Sequence, residues 1–181
     1  VRRLLGASLL ALSLFGSSAV LHAQPSSNAQ AAEALKKEGD ALMGDIRYEE
    51  ALAKYREAYK LGANPALLYN QGRALEALGR YPEALEMLRS FDAKAPPDLH
   101  AKVPNLQKLI DDVEAHTCLL TVDAPAGAQV RMGDVVLGKA PLPEIRVNAG
   151  KRVRLEATLE GAEPDVQELD LPGKAKARVS F

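Results

Sequence analysis

Residues 32–64 read AEALKKEGDALMGDIRYEEALAKYREAYKLGAN, and residues 65–97 read PALLYNQGRALEALGRYPEALEMLRSFDAKAPP. Within each segment, small residues fall where two antiparallel helices must approach closely. A two-helix unit of this kind has one apolar face that it cannot bury alone, so the two copies are expected to stack on each other. The segments match at positions 33 residues apart: Gly39 with Gly72, Tyr48 with Tyr81, Ala51 with Ala84, Tyr55 with Leu88, and Ala58 with Phe91.

The apolar periodicity of this region predicts four helices, over residues 29–43, 48–61, 65–78 and 82–94. Pro65 suits the first turn of the third helix, where its missing N–H costs nothing, and Gly79 is expected to end that helix. A further helix is predicted over residues 98–116, capped by Asp98, to cover the exposed end of the stack. Pro104 predicts a bend or a later start in this capping helix.

The repeated segments resemble tetratricopeptide repeats. The resemblance rests on Leu35, Gly39, Leu42, Ala51, Tyr55, Ala58 and Pro65 in the first copy, and on Leu68, Gly72, Leu75, Ala84, Leu88 and Phe91 in the second. It implies that the first helix of each pair lines a concave groove that meets a peptide or a partner's helix. The groove positions carried over by the resemblance are Glu33, Lys36, Lys37, Asp40, Met43, Tyr69, Asn70, Arg73 and Glu76.

Some tetratricopeptide repeats hold a C-terminal carboxylate with a clamp, and Lys36 and Asn70 match two places of that pattern. Asp40 stands where the pattern has Asn, and its charge would repel a carboxylate. Tyr69, Asn70 and Arg73 form a contact cluster of the composition found at interface anchors. The alternative is that these residues form an ordinary solvated helix face.

After His116 the pattern changes from helical to alternating, with turns rich in Gly and Pro. Residues 117–181 are therefore predicted to form a small antiparallel sandwich or open barrel, which makes the whole chain α+β. This half resembles the PEGA domain through the turn Pro125-Ala126-Gly127-Ala128, which lacks Glu, and through three later stretches. These are Val130 with Gly133, Leu137 to Leu142, and Val147 to Lys151.

The beginning of the chain has the order of a secretory signal peptide. Val1-Arg2-Arg3 is basic, the run from Leu4 to Phe15 is apolar, and small residues lead to Ala23. We expect cleavage after Ala23, a flexible leader over residues 24–31, and a protein exported to the periplasm or cell envelope. An uncleaved membrane anchor is the alternative reading of the same stretch.

Composition argues against several other classes of protein. The net charge of −1 does not favour nucleic-acid binding, and one cysteine with three histidines does not favour a structural metal site. His116 and Cys118 could in principle form a base and thiolate, but a thiol buried between the two halves is the simpler interpretation. Asp111-Asp112 is interpreted as a solvated pair. No cofactor and no enzymatic activity are predicted.

The sequence thus favours a non-enzymatic adaptor of a bacterial cell envelope. The helical half would bind a protein or peptide partner, while the β half would dock onto a second envelope component. The rival interpretation is a carbohydrate- or peptidoglycan-binding protein whose β half carries the function. Sugar binding usually employs aromatic platforms, and Phe181 is the one aromatic residue in the stretch 117–181, which weakens this rival.

Overall fold

The computed structural model describes residues 27–181, which form an α+β protein with a helical stack followed by a β module. The predicted signal peptide, its cleavage site and residues 24–26 lie outside the described residues. The helices are α1 (Ser27–Gly44), α2 (Tyr48–Leu61), α3 (Pro65–Ala77), α4 (Tyr81–Lys94), α5 (Pro97–His100) and α6 (Leu106–Glu114). The strands are β1 (Thr117–Asp123), β2 (Gln129–Met132), β3 (Val135–Lys139), β4 (Ile145–Asn148), β5 (Gly150–Thr158), β6 (Asp165–Leu171) and β7 (Lys176–Ser180).

The prediction of a flexible leader is wrong for residues 27–31, which already belong to α1. Ala29, Gln30 and Ala31 are good helix formers, and Ala29 and Ala32 lie in a small cavity that also includes Gly62 and Leu67. The start of α1 therefore packs against the turn between α2 and α3. Helical propensity and this contact outweigh the absence of an apolar period in the leader.

The first four helices bury the residues that the repeat predicted. Ala51, Tyr55, Ala84, Leu88 and Phe91 are almost completely buried in one core. Each repeat glycine permits close approach of the paired helices. A Cβ atom at Gly39 would lie 2.6 Å from Cε1 of Tyr55, and one at Gly72 would lie 2.8 Å from Cγ of Leu88.

Local signals set the ends of α3 as predicted. The side chain of Asn64 accepts a hydrogen bond from the backbone N–H of Ala66, and Pro65 occupies the first turn. Gly79 adopts the left-handed conformation beyond the end of the helix, with φ of 70°. In the first copy the equivalent residue is Ile46, which has φ of 62° and is exposed.

The prediction of one capping helix over residues 98–116 is wrong. The segment forms the short helix α5 and, after a turn that contains Pro104, the helix α6. The expected later start is confirmed, because Pro104 cannot donate the backbone hydrogen bond that a continuous helix requires. Asp98 lies in the first turn of α5 and is not its cap, which is Pro96. Leu106, Ile110 and Val113 of α6 close the core.

The β module consists of two sheets, with strand orders β4-β1-β7 and β3-β2-β5-β6. Its core is formed by the inward residues of both sheets, including Leu120, Val130 and Leu155. The expectation of a purely antiparallel module is wrong for one pair, because β1 and β7 run parallel. The chain leaves β6 in one sheet and enters β7 in the other, so the crossing brings β7 alongside β1 in the same direction.

The two halves are joined through several direct contacts. Asn148 donates a side-chain hydrogen bond of 2.9 Å to the carbonyl oxygen of Gly79, and the backbone N–H of Ala149 donates one to His116. Gly173 approaches Ala115 so closely that a Cβ atom would lie 1.8 Å from its carbonyl oxygen. Helices α4 and α6 both contact the β module, at β4 and β1 respectively.

Candidate functional site

The candidate site is a concave surface of the helical stack to which α1, α3 and α6 each contribute side chains. At one end of this surface lies a pocket of about 380 Å³, which we call the groove pocket. Three of the predicted groove residues, Met43, Arg73 and Glu76, line it. The remaining lining residues are Tyr48, Ala77, Tyr81, Asp112, Val113 and His116.

Asp40 is the centre of a polar network that connects α1, α2 and α3. Its carboxylate accepts hydrogen bonds from Lys36 Nζ at 2.7 Å, from Tyr55 Oη at 2.9 Å and from Asn70 Nδ2 at 3.4 Å. Burial raises the pKa of the Tyr55 phenol, and the neighbouring Asp40 raises that pKa further. The phenol is therefore held in its neutral, donating form.

This network bears directly on the carboxylate clamp. Lys36 and Asn70, the two residues that match the clamp pattern, already donate to Asp40. A ligand carboxylate would have to displace the Asp40 carboxylate and would meet its negative charge. The geometry at this point therefore favours a ligand that does not need these two donors.

Arg73 and Glu76 lie one helical turn apart on α3 and form an ion pair, with 3.0 Å between Arg73 Nε and Glu76 Oε2. Oε2 is buried and accepts no hydrogen bond from residues 27–181. Among these residues the contact with Arg73 is therefore an attraction of charges, which leaves the acceptor open to a further donor. A partner that offers an N–H or O–H group could satisfy it.

The other predicted groove residues lie outside this pocket, in different environments. Tyr69 is half-buried, and its ring packs against Phe91 with 5.5 Å between centroids. Lys36 lies beside a separate cavity of about 300 Å³ at the N-terminal end of α1, which Glu33 also lines. Lys37 is largely exposed and pairs at 4.0 Å with Glu33. The predicted residues thus occupy one surface but do not form a single pocket.

Sequence reasoning missed the aromatic part of the groove pocket. The rings of Tyr81 and His116 stack with 4.5 Å between their centroids and 20° between their planes. Nδ1 of His116 also lies 2.8 Å from the backbone oxygen of Asp112. Tyr48 and Tyr81 occupy equivalent positions of the two repeats, and that equivalence was the signal that could have placed them together.

Cys118 does not lie between the two halves as predicted, but in the core of the β module. It is fully buried, and its Sγ donates a weak hydrogen bond of 3.6 Å to the carbonyl oxygen of Leu119. Burial raises the pKa of the thiol, which disfavours the thiolate that a nucleophile requires. His116 points instead to Tyr81 and Asp112.

Among residues 27–181 there is no group of three or more His, Cys, Asp or Glu side chains placed to hold a metal ion. In the same range no helix has the length and apolar character needed to cross a bilayer. Comparison of the chain with protein-family models and with curated proteins finds no match.

Proposed function

We propose that this protein is a non-enzymatic adaptor whose helical groove binds a protein or peptide partner. The observation that supports this most strongly is the groove pocket, which is lined by Met43 of α1, Arg73 of α3 and Val113 of α6, with His116 just beyond the end of α6. Aromatic, aliphatic and charged side chains meet there in a concave surface, which is the composition of protein-binding sites. The acceptor of Glu76 supplies a polar contact that a peptide could satisfy.

In this proposal the β module docks onto a second component of the cell envelope, to which the protein is exported. Apolar side chains of two strands at the edges of the four-stranded sheet support a docking role. Val135 and Val136 of β3 are 58% and 52% exposed, and Val166 of β6 is 42% exposed. The mechanism is positional, because direct contacts between the helical stack and the β module keep the two ligands at a fixed separation.

The groove is tested by site-specific photocrosslinking in envelope extracts. A photoreactive residue at Tyr69 is compared with one at Glu57, an exposed position of α2 outside the groove. We expect position 69 to trap a defined partner that position 57 does not trap, and Arg73→Ala to reduce the yield at position 69. Equal crosslinking from both positions, or the same yield with Arg73→Ala, would contradict the proposal.

A further inference from the structure

A large cavity lies outside the groove, where α4 meets the β module. This interdomain cleft has a volume of about 570 Å³. It runs along one face of α4 from Pro82 to Lys94, with Arg146 of β4 on the other side. At a rise of about 1.5 Å per residue, this stretch of helix is about 18 Å long, which matches five to six residues of extended chain, at about 3.3 Å each.

Two arginines of the cleft share one carboxylate oxygen. Arg89 Nη2 donates a hydrogen bond of 2.7 Å to Glu114 Oε1, and Arg146 Nη1 lies 3.7 Å from the same atom. The side chain of Arg146 is only 24% exposed. The carboxylate of Glu114 therefore faces two guanidinium groups. Arg146 is the less exposed of the two and has the longer contact, so its positive charge is incompletely balanced.

The side chain of Arg146 also donates fewer hydrogen bonds than its five N–H groups allow. Among residues 27–181, its side chain donates one hydrogen bond, of 2.9 Å, from Nη1 to Thr117 Oγ1. A guanidinium has five N–H donors, and a planar carboxylate can accept two of them at once. The Nη2 and Nε groups of Arg146 have no hydrogen-bond partner among residues 27–181, and a bidentate contact with a ligand carboxylate would use them.

The other charges around the cleft leave the balance positive. Glu83 is neutralised by Arg80, at 2.5 Å. Lys94 then adds a third cation to the two arginines, while Glu86 and Glu114 are the carboxylates that oppose them. The chain as a whole has a net charge of −1, so this excess of positive charge is a local feature of the cleft.

We propose that the interdomain cleft binds an acidic, extended segment of a polypeptide. Arg89 and Arg146 would hold a carboxylate of the segment, while Pro82 and Ala93 supply apolar contact beside it. The length of the cleft along α4 and its apolar lining favour a peptide over a small free anion. The site is distinct from the groove. Because α4 and Arg146 of β4 both line it, a segment bound here would contact both the helical stack and the β module.

Isothermal titration of the whole chain with the peptide acetyl-Glu-Leu-Glu-Glu-Leu-Glu-amide tests this site. The matched control peptide has Gln in place of each Glu, and inorganic phosphate provides the small anion. We expect the acidic peptide to bind at least about tenfold more tightly than either control, because charged hydrogen bonds carry the interaction. Equal affinity for the Gln peptide, or binding of phosphate alone, would overturn the proposal.

Variants separate binding from a purely structural role of the arginines. Arg146→Gln is expected to weaken binding of the acidic peptide about tenfold, and the more exposed Arg89→Gln provides a second variant if the first unfolds. The matched control Arg131→Gln, on the other sheet, should leave affinity unchanged. Glu114→Gln should tighten binding by removing the competing carboxylate. Weaker or unchanged binding by a folded Glu114→Gln variant would show that the arginines serve only to brace the two halves.

Discussion

At the scale of single residues, Asp40 connects neighbouring helices of the stack although its side chain is exposed on α1. It joins three helices by accepting hydrogen bonds from Lys36, Tyr55 and Asn70. Tyr55 is 2% exposed, so its hydroxyl has little contact with water and relies on this partner. The bond from Tyr55 thus fixes the ring that packs against Gly39.

The ionisation of Tyr55 leads to a prediction on pH dependence. Its pKa is raised in the folded state, chiefly by burial, so folding disfavours the phenolate. The stabilisation from the neutral phenol is complete below the unfolded pKa of about 10 and is lost as the pH rises above it. Tyr55→Phe cannot ionise and should lose about 1 kcal/mol at neutral pH with the hydrogen bond to Asp40.

Urea denaturation of the wild type and Tyr55→Phe at a series of pH values measures this effect. The difference in free energy of unfolding should shrink as the pH rises above about 10, since the phenol then ionises in the unfolded wild-type chain while the folded protein keeps it neutral, which favours unfolding of the wild type alone. All other titrating groups are shared and cancel in the difference. A difference that stays constant up to pH 11 would contradict the role assigned to the phenol.

At the scale of elements, the repeat glycines determine how closely the paired helices approach. Gly39→Ala would place its Cβ atom 2.6 Å from a buried Tyr55 ring that is also held by Asp40. Gly44 lies in the same helix and has no atom within 4 Å of the equivalent Cβ position. Overpacking of this kind usually costs about 1 to 3 kcal/mol.

We therefore expect Gly39→Ala to lower the free energy of unfolding by about 1 to 3 kcal/mol. Gly44→Ala is the matched control and should leave stability unchanged or raise it slightly, because Ala has the higher helix propensity. Thermal and urea denaturation followed by circular dichroism measure both variants. Equal stability of the two variants would mean that the helices can move apart at little cost.

The sequence predicted most elements because each has its own local signal. Asn64 and Pro65 specify the start of α3, and Gly79 and the Pro and Gly turns of the β module separate successive elements. The capping segment was predicted too long because its apolar spacing continues across Pro104, whose backbone chemistry interrupts the helix. The parallel pairing of β1 with β7 was missed because alternation specifies a face and not a partner.

The same limitation applies to the candidate sites. The repeat placed Met43, Arg73 and Glu76 on one surface, since equivalent helices of stacked repeats align. It could not place Arg89 and Arg146 around Glu114, because these residues come from α4, β4 and α6. Contacts between distant segments depend on the orientation of the β module relative to the helical stack. The local periodicity of apolar residues does not specify that orientation.

At the scale of the whole molecule, the account depends on a fixed relation between the helical stack and the β module. Asn148 bonds to Gly79, Arg146 lies against Glu114, and Gly173 packs on the backbone of Ala115. Two of these contacts involve backbone groups of the helical half, at Gly79 and Ala115, and a change in the relative orientation of the halves would break several contacts at once. The proposal therefore requires the groove and the edge strands of the β module to keep one relative orientation.

Distance measurements by double electron–electron resonance test this claim most directly. Spin labels on cysteines replacing the exposed Lys37 and Lys151 report across the two halves, while labels at Lys37 and Glu57 provide a control within the helical stack. The native Cys118 is fully buried and should not react with the label. The account predicts one narrow distance population across the halves, as narrow as that of the control. A much broader or bimodal distribution would contradict it.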